Sequence, residues 1–487
     1  MRILITFIIG FLVLPSLPTS SAAEENTQEK QELSLTEAVR LALANNLGLQ
    51  LQKDDVEAAQ GARQAAEGEF DVLVSGEGGA EGRELIPAIP GLPEEEESAQ
   101  WSAGLQKKFI TGTEVSLNWK NSRFSSTPPA FLFDPAYNST LTLGVRQPLL
   151  QGFGIKRQTA GIRASEKNLE ASSLLVGAEA ANLAARVRAA YWNLVYAWQD
   201  KSVKELSLTL AQRLLEETDA KIRAGKLAEV DIYQPRSEIS RREEGLISAD
   251  RTIGLHEDEL KLLMNTKDWQ ATIIPTDLPP TEPYFPELTT ILENALRNRP
   301  DIKAADLSID AARIREESAR DNTRPSLDLV GLLGQGGTDE AYGDSIDDAI
   351  DDGETQWQAG LAFSMPLQNN VAKGLYRQAG AAHSKARNTA EQMRLEVQQS
   401  VRTTVRDVQL AIKGMEATKK TSLATQKRLE AEQAKFAAGR ATTFDVLAAQ
   451  EAYSQALSQE KLIEVAYAVA LAELDRLQGL VPSVSSN

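Results

Sequence analysis

Between Ile155 and Arg223 the chain contains no proline, and Leu183, Val187, Tyr191, Leu194 and Trp198 recur along it at helical spacing. They form one apolar stripe, and at 1.5 Å per residue the helix would be roughly 100 Å long. A globular core offers no partner of that length, so such a helix must lie against other helices in a bundle of coiled-coil type. It ends in "KIRAGKLAEVDIYQPR" (Lys221 to Arg236), where Gly225 breaks it and a returning helix resumes near Glu229. A second helix of similar length runs to Phe436 and ends in "KFAAGRATTFDVLAAQ" (Lys435 to Gln450), with Gly439 at the break and a last helix reaching Gln478. One and the same offset carries Lys221 onto Lys435, Gly225 onto Gly439 and Asp231 onto Asp445. Two long hairpins are therefore expected. Each has a glycine supplying the backbone freedom of its tip and an Asp in the first turn of the returning helix.

The duplication extends beyond the hairpins. "LTTILENALRNRPDIKAADLSIDAARIR" (Leu288 to Arg315) echoes "LTEAVRLALANNLGLQLQKDDVEAAQGAR" (Leu35 to Arg63), a helical stretch opened by the capping signature Ser34 before Glu37. Period-two alternation predicts four short strands in the first half: Phe70–Gly79, Trp101–Phe109, Thr113–Asn121 and Thr140–Gln147. Two more are expected in the second, Ser326–Gly334 and Trp357–Leu367. Pro148 and Pro366 mark the same strand-to-helix corner in each half. The expected organisation is a first repeat over 24–267, a Pro-rich linker over 268–286, a second repeat over 287–479 and a short tail over 480–487.

Ahead of the first repeat, residues 1–23 hold Arg2, an apolar run from Ile3 to Leu14 and a small-residue ending at Ala23, as in a cleaved secretory signal peptide. There is no Cys, so neither disulfides nor a lipid on an N-terminal Cys are available to an exported chain. Beyond residue 23 no uninterrupted apolar stretch is long enough for a membrane helix, which leaves a soluble exported protein or one that crosses as a β-barrel. The net charge of −17 argues against nucleic acid.

This order of elements, with "RAAYWNLVYAW", "LLQGFG", "RAGKLAEVDIYQ" and "AAGRATTFDVLAAQ", resembles the TolC-like outer-membrane efflux proteins over essentially the whole mature chain. The resemblance implies a mainly α protein with a membrane β-barrel: a homotrimer whose strands share one barrel in outer-membrane lipid and whose helices extend it as a tunnel through the periplasm. It also implies hairpin tips that form a closable mouth and dock on a periplasmic adaptor, which joins the duct to an inner-membrane RND or ABC transporter or a type I exporter. Where the family's simplest members have two strands per half, the first half here has four. Long connections at 80–100 and 122–139 flank a tight one at 110–112, in keeping with the loop grammar of outer-membrane barrels. Six strands per protomer, about eighteen in a trimer, are expected; the alternative is an external hairpin on a twelve-stranded barrel.

Each candidate site has a plainer reading beside it. The resemblance puts Asp445 at the periplasmic mouth, where three copies would form an anionic ring; an Asp near a helix N-terminus equally caps the helix. Ala448 stands where a second acidic residue is expected, so the ring is single. Asp231 is its counterpart in a polar latch between hairpins. Phe436 and Arg440 stand at or beside the family's aromatic and basic latch positions. The tips Gly225, Lys226, Leu227, Ala228 and Gly439, Arg440, Ala441, Thr442 are expected to meet the adaptor, or else to be solvated turns. Trp101, Trp119 and Trp357 are expected at the bilayer interface, and Trp192 and Trp198 in the helical core. The acidic runs at 93–98 and 344–354 are expected as solvated outer loops.

No metal-ligand cluster, cofactor motif or catalytic constellation is legible around His256 and His383. An enzyme is therefore not expected, and the driving force has to come from a partner. Two His and five Met give no support to a dedicated copper or silver route. The rival class is a periplasmic adaptor or coiled-coil scaffold, which would carry one hairpin flanked by small β-domains. A surface fibre would not need two Gly-Asp tips.

Overall fold

The computed structural model describes residues 30–87, 89, 92–130, 132–351 and 353–480. The expected leader (1–23) and the tail beyond Leu480 lie outside them. The first half runs β1 (Lys30–Leu33), α1 (Leu35–Asn45), α2 (Leu47–Glu67), β2 (Val72–Glu84), β3 (Glu95–Lys108), β4 (Glu114–Thr127), β5 (Ala136–Pro148), α3 (Ile155–Gln158), α4 (Ala160–Arg223) and α5 (Tyr233–Met264). The second runs β6 (Thr272–Pro275), α6 (Leu288–Asn298), α7 (Pro300–Asp321), β7 (Ser326–Asp339), α8 (Tyr342–Asp351), β8 (Glu354–Ser364), α9 (Asn370–Ala437) and α10 (Thr443–Leu477).

The opening helix of each half is broken once. Asn46 leaves the helical region and its side chain accepts from Leu49 N, starting α2 afresh. Pro300 opens α7 at the equivalent joint, where its missing N–H costs no hydrogen bond. The 64 residues of α4 and 68 of α9 make helices of roughly 96 and 102 Å. Each finds its partner in two shorter helices: α4 packs on α2 and α5, α9 on α7 and α10. The joints between the short helices are tied. Asn46 donates to Leu263 O at 2.8 Å and Asn265 to Asn45 O at 3.1 Å, and Gly479 lies against the Arg299 backbone. Because α7 and α10 also pack on α4, the helical layer has two open edges, α9 on one side and α2 with α5 on the other.

The main core lies at mid-height of α4, where Leu183, Val187 and Leu194 meet Leu260, Ile253 and Ile273. There the Pro-rich segment between the repeats is docked: β6 pairs in parallel with β1. The buried Tyr191 hydroxyl lies 2.9 Å from Leu33 O and 2.8 Å from Asp277 Oδ2, and burial pushes its pKa up to about 12. Trp192 is buried in this core, and Trp198 donates to Ile273 O at 3.1 Å.

All six long strands form one antiparallel sheet in the order β2-β3-β4-β5-β7-β8. Directly opposed residues share a face, so the registers define two kinds of row. Val74, Leu105, Leu117, Leu143, Leu333 and Trp357 form one row across all six strands; the next row is Ser75, Gly104, Asn118, Thr142, Gly334 and Gln356. One face is mainly apolar and largely exposed, the other mainly polar, with Leu73, Val330 and Leu332 among its apolar exceptions. On the polar face Arg146 reaches Asp328 at 3.0 Å and Glu114 at 3.4 Å. The tight turn between β3 and β4 sits at the helix-bearing end of the sheet, where Gly112 lies against Pro148 and the Gly152 carbonyl.

Two expectations are corrected. The strands are longer than the alternation suggested, so Trp101, Trp119 and Trp357 lie within strands rather than at their ends. The acidic runs are not plain loops. Glu95–Glu97 open β3, and most of the second run forms α8, which presses onto the apolar face where Gly337 leaves room for Ser345 and Ala349. Asp352 of that run is outside the described residues.

Candidate functional site: the two hairpin tips

Both tips end their long helix by the same hydrogen-bonded device. Gly225 takes φ of 66° and Gly439 φ of 71°, conformations glycine adopts without a Cβ penalty. At the first tip, Lys226 N donates to Lys221 O at 2.8 Å and Gly225 N to Ile222 O at 2.9 Å. At the second, Arg440 N donates to Lys435 O at 2.8 Å and Gly439 N to Phe436 O at 3.0 Å. These paired bonds satisfy the last carbonyls of each helix and turn the chain back.

The returning helices begin differently. Thr442 N donates to Asp445 Oδ2 at 2.8 Å, the Thr442 hydroxyl lies 2.7 Å from the same oxygen, and Asp445 N lies 3.3 Å from that hydroxyl. This is a reciprocal capping box. The Thr442 backbone N–H, then its hydroxyl, hold the exposed Asp445 carboxyl below the usual carboxylate range. At the first tip Asp231 Oδ2 accepts from Ala228 N at 3.1 Å, but Ala228 has no side-chain acceptor to answer with. A 3-10 turn over Glu229–Ile232 precedes α5 there.

The tips are joined by a small core of Leu214, Leu429, Phe436, Val446, Leu447 and Ala449. Phe436, 1% exposed, is its aromatic centre. The Lys221 ammonium sits 3.6 Å from that ring's centroid and donates to the Phe436 carbonyl; burial lowers the Lys221 pKa. Leu227 and Ala441 pack onto the same core, whereas Lys226, Ala228, Arg440 and Thr442 are exposed. The expected tip surface is therefore half turned inward.

Contacts between the hairpins rise from here, made largely by residues the sequence did not mark. Gln234 pairs with Thr443 at 3.1 Å. About two turns on, Arg242, only 6% exposed, donates to Gln450 Oε1 at 3.0 Å, to Glu238 Oε1 at 2.9 Å and to the Ser207 carbonyl. Gln450 in turn donates to Leu210 O at 3.1 Å. Arg242 so ties α4, α5 and α10 together beside a groove of about 420 Å³ lined by Lys204, Arg241 and Glu451. Further up, Ser458 meets Asp200 at 2.6 Å and Arg188 meets Asp475 at 2.7 Å. Asp231 and Asp445 bond within their own turns and do not bridge the hairpins in these contacts.

At the far end of the molecule, Trp101 and Trp119 meet edge-on at 5.1 Å, and Tyr342 of α8 lies 6.4 Å from Trp101. Trp119 donates to Ser139 at 2.9 Å. Trp357 stands apart on β8, 76% exposed, on the same apolar face. Among the described residues no group of His, Asp and Glu is placed to hold a metal ion, and no helix is long and apolar enough to cross a membrane.

Comparison with known proteins fits this geometry. The profile of the outer membrane efflux protein family matches residues 112–266 and 291–480. The chain is 24% identical over 266 residues to outer membrane protein TolC of Escherichia coli, covering 53% of each. It thus spans about half the length of the curated relatives it matches. Among solved structures, outer membrane protein VceC of Vibrio cholerae superposes with a TM-score of 0.69 at 18% identity over 92% of this chain and 96% of that one. A membrane protein from Pseudomonas aeruginosa does so with a TM-score of 0.70 at 16% identity over 95% and 99%.

Proposed function

Because the chain belongs to the outer membrane efflux protein family, we propose that three copies form the passive exit duct of a tripartite efflux or type I secretion system. The observation that carries this reading is the row from Val74 to Trp357, apolar on all six strands and exposed, directly beside a polar row. A sheet whose apolar face is bare except where α8 covers it, and whose other face is wetted, suits lipid outside and water inside. It cannot stand as a single copy in a membrane, where unpaired strand edges are prohibitively costly.

The open edges support a ring. The sheet ends in β2 from the first repeat and β8 from the second, and the helical layer ends in α2 with α5 and in α9. First-repeat edge to second-repeat edge is a head-to-tail contact, which closes on itself under rotation. Leu395, Leu410 and Leu423 on α9, and Ile247, Leu255 and Leu262 on α5, are exposed and would be covered by it.

In this duct the tips are the periplasmic mouth. The exposed Asp445 carboxylates, three around the axis, would favour cations there, while also capping their helices. Lys226, Ala228, Arg440 and Thr442 offer the surface for a periplasmic adaptor, which would connect the duct to an energised RND or ABC transporter. Phe436, Lys221 and Arg242 would keep the hairpins of one subunit together, with Asp231 holding the first turn. Trp101, Trp119 and Trp357 would lie in the interfacial belt. A cleaved leader would direct the chain through export to the outer membrane.

Fractionated envelopes extracted with detergent provide the test. A trimer by native mass in the outer-membrane fraction, conducting ions in planar bilayers, is expected. A soluble periplasmic monomer would overturn the reading in favour of a scaffold.

A further inference from the structure

We propose that β2 of each subunit pairs antiparallel with β8 of the next, with Gly78 level with Ala359, closing a barrel of eighteen strands. The inference rests on the trimeric reading above and goes beyond it in naming the seam and the strand number.

Sheet edges that must stay unpaired are blunted by prolines, bulges, inward charges or short length. Neither terminal strand is short, bulged or interrupted by proline, and the charges Glu77, Glu81, Arg83 and Glu354 lie on the wetted face, where a closed barrel tolerates them. The 13 residues of β2 and 11 of β8 contain no proline, and both ladders run without a skipped residue. β4 offers no edge, because it is laddered to β3 over Glu114–Thr127 and to β5 over Glu114–Phe124. A twelve-stranded barrel would have to strip β3 from β4 first.

Direction and facing agree with closure. β2 leaves the helix end of the sheet and β8 returns to it, so the two meet antiparallel in neighbouring copies. Matching apolar faces then requires an even offset along the strands. Following the ladder from Gly78 through Trp101, Asn121, Ser139 and Gly337 arrives just beyond the outer end of β8, since Gly336 faces Glu354. β8 is thus staggered toward the helices by about six residues. With strands about 4.8 Å apart, a three-fold barrel of that stagger tilts its strands by about 35°, within the usual range. The opposite sense of offset leaves β2 and β8 without overlap.

Side-chain size fits the same register. The outward residues of β2 are Val72, Val74, Gly76, Gly78, Ala80 and Gly82, and those of β8 are Thr355, Trp357, Ala359, Leu361 and Phe363. Trp357 falls opposite Ala80 and between Gly78 and Gly82, Leu361 opposite Gly76, and Phe363 opposite Val74. The bulky, exposed row of β8 is received by the smallest row of the sheet, which gives the glycine-rich edge a purpose. At equal tilt, eighteen strands make a bore roughly half as wide again as twelve.

The chain has no Cys, so engineered pairs report cleanly. Full-length Ser75→Cys/Ala362→Cys in outer-membrane preparations, oxidised or bridged with a short bismaleimide, is expected to shift from monomer to covalent dimer and trimer on denaturing gels. Neither single variant should do so. Ser116→Cys/Ala362→Cys, placed to link β4 to β8 in a twelve-stranded closure, is expected to remain monomeric on the same gels. Linkage through Ser116→Cys instead would overturn the eighteen-stranded seam and leave the trimeric duct standing. No linkage in either pair, with native mass still showing trimers, would also overturn the β2–β8 seam. Loss of the trimer in the Cys-free parent would sink the duct reading itself.

Discussion

The two hairpin tips share a terminator and differ in how they restart. Both stop at a left-handed glycine with the same pair of backbone bonds. The second then resumes at once in a reciprocal Thr442–Asp445 box, while the first has a one-sided Ala228–Asp231 contact and a 3-10 turn before α5. One hydroxyl separates them. A box answered from both sides holds the entry to α10; the first tip is left to Lys221 and Arg242, which tether its hairpin to the second. The two tips therefore differ in how their returning helices are held, and the first is expected to fray more readily than the second.

The largest test of that inequality is Arg242→Ala. It strips the buried Gln450 Oε1 and the Ser207 carbonyl of their guanidinium donor, while Glu238 keeps its bidentate pair with Arg241, and should cost about 2 kcal/mol. Amide exchange should accelerate along the first hairpin more than the second, and thermal melting should fall. Equal acceleration would show that Arg242 is not the tether. Next, Gly225→Ala and Gly439→Ala each force a left-handed alanine, worth about 1–2 kcal/mol. Nothing lies within 4 Å of a Cβ at either position, so the two losses should match in chemical denaturation.

Smaller again is the cap itself. Thr442→Ala should cost about 1 kcal/mol and make exchange at the second tip resemble the first, and Ala228→Thr should slow exchange at the first. If Ala228→Thr changes nothing, the 3-10 entry is imposed from elsewhere. The smallest effect is with pH. A lowered carboxyl contributes its stability above the normal value of about 4 and loses it as pH falls through its own lower value. The second tip should therefore fray only below about pH 4, and Asp445→Asn should remove that dependence in exchange measured across the range.

Much of this was legible in the residues. The stripe from Leu183 to Trp198 became a buried face, both glycines became turns, and Asp231 and Asp445 took the capping geometry that their position allows. Strand ends were not legible, because "GEGGAEG" in β2 and "EEES" in β3 have poor intrinsic strand preference and are held extended by their neighbours' ladders. α8 was missed because an acidic run reads as solvated until the space over Gly337 is known. Arg242 and Gln450 carried no signal: a polar residue on a helix looks solvent-facing unless the adjoining helix is in view.

Periodicity, tip glycines and duplicated order are properties of neighbours along the chain, so the sequence by itself determined two long hairpins, alternating strands and their repetition. Which polar side chains bridge hairpins, how far each strand persists and which strands are left at the edges depend on groups hundreds of residues apart. Those were decided only by the tertiary structure, because a buried charge or an extended glycine is stable only where its distant partner already stands.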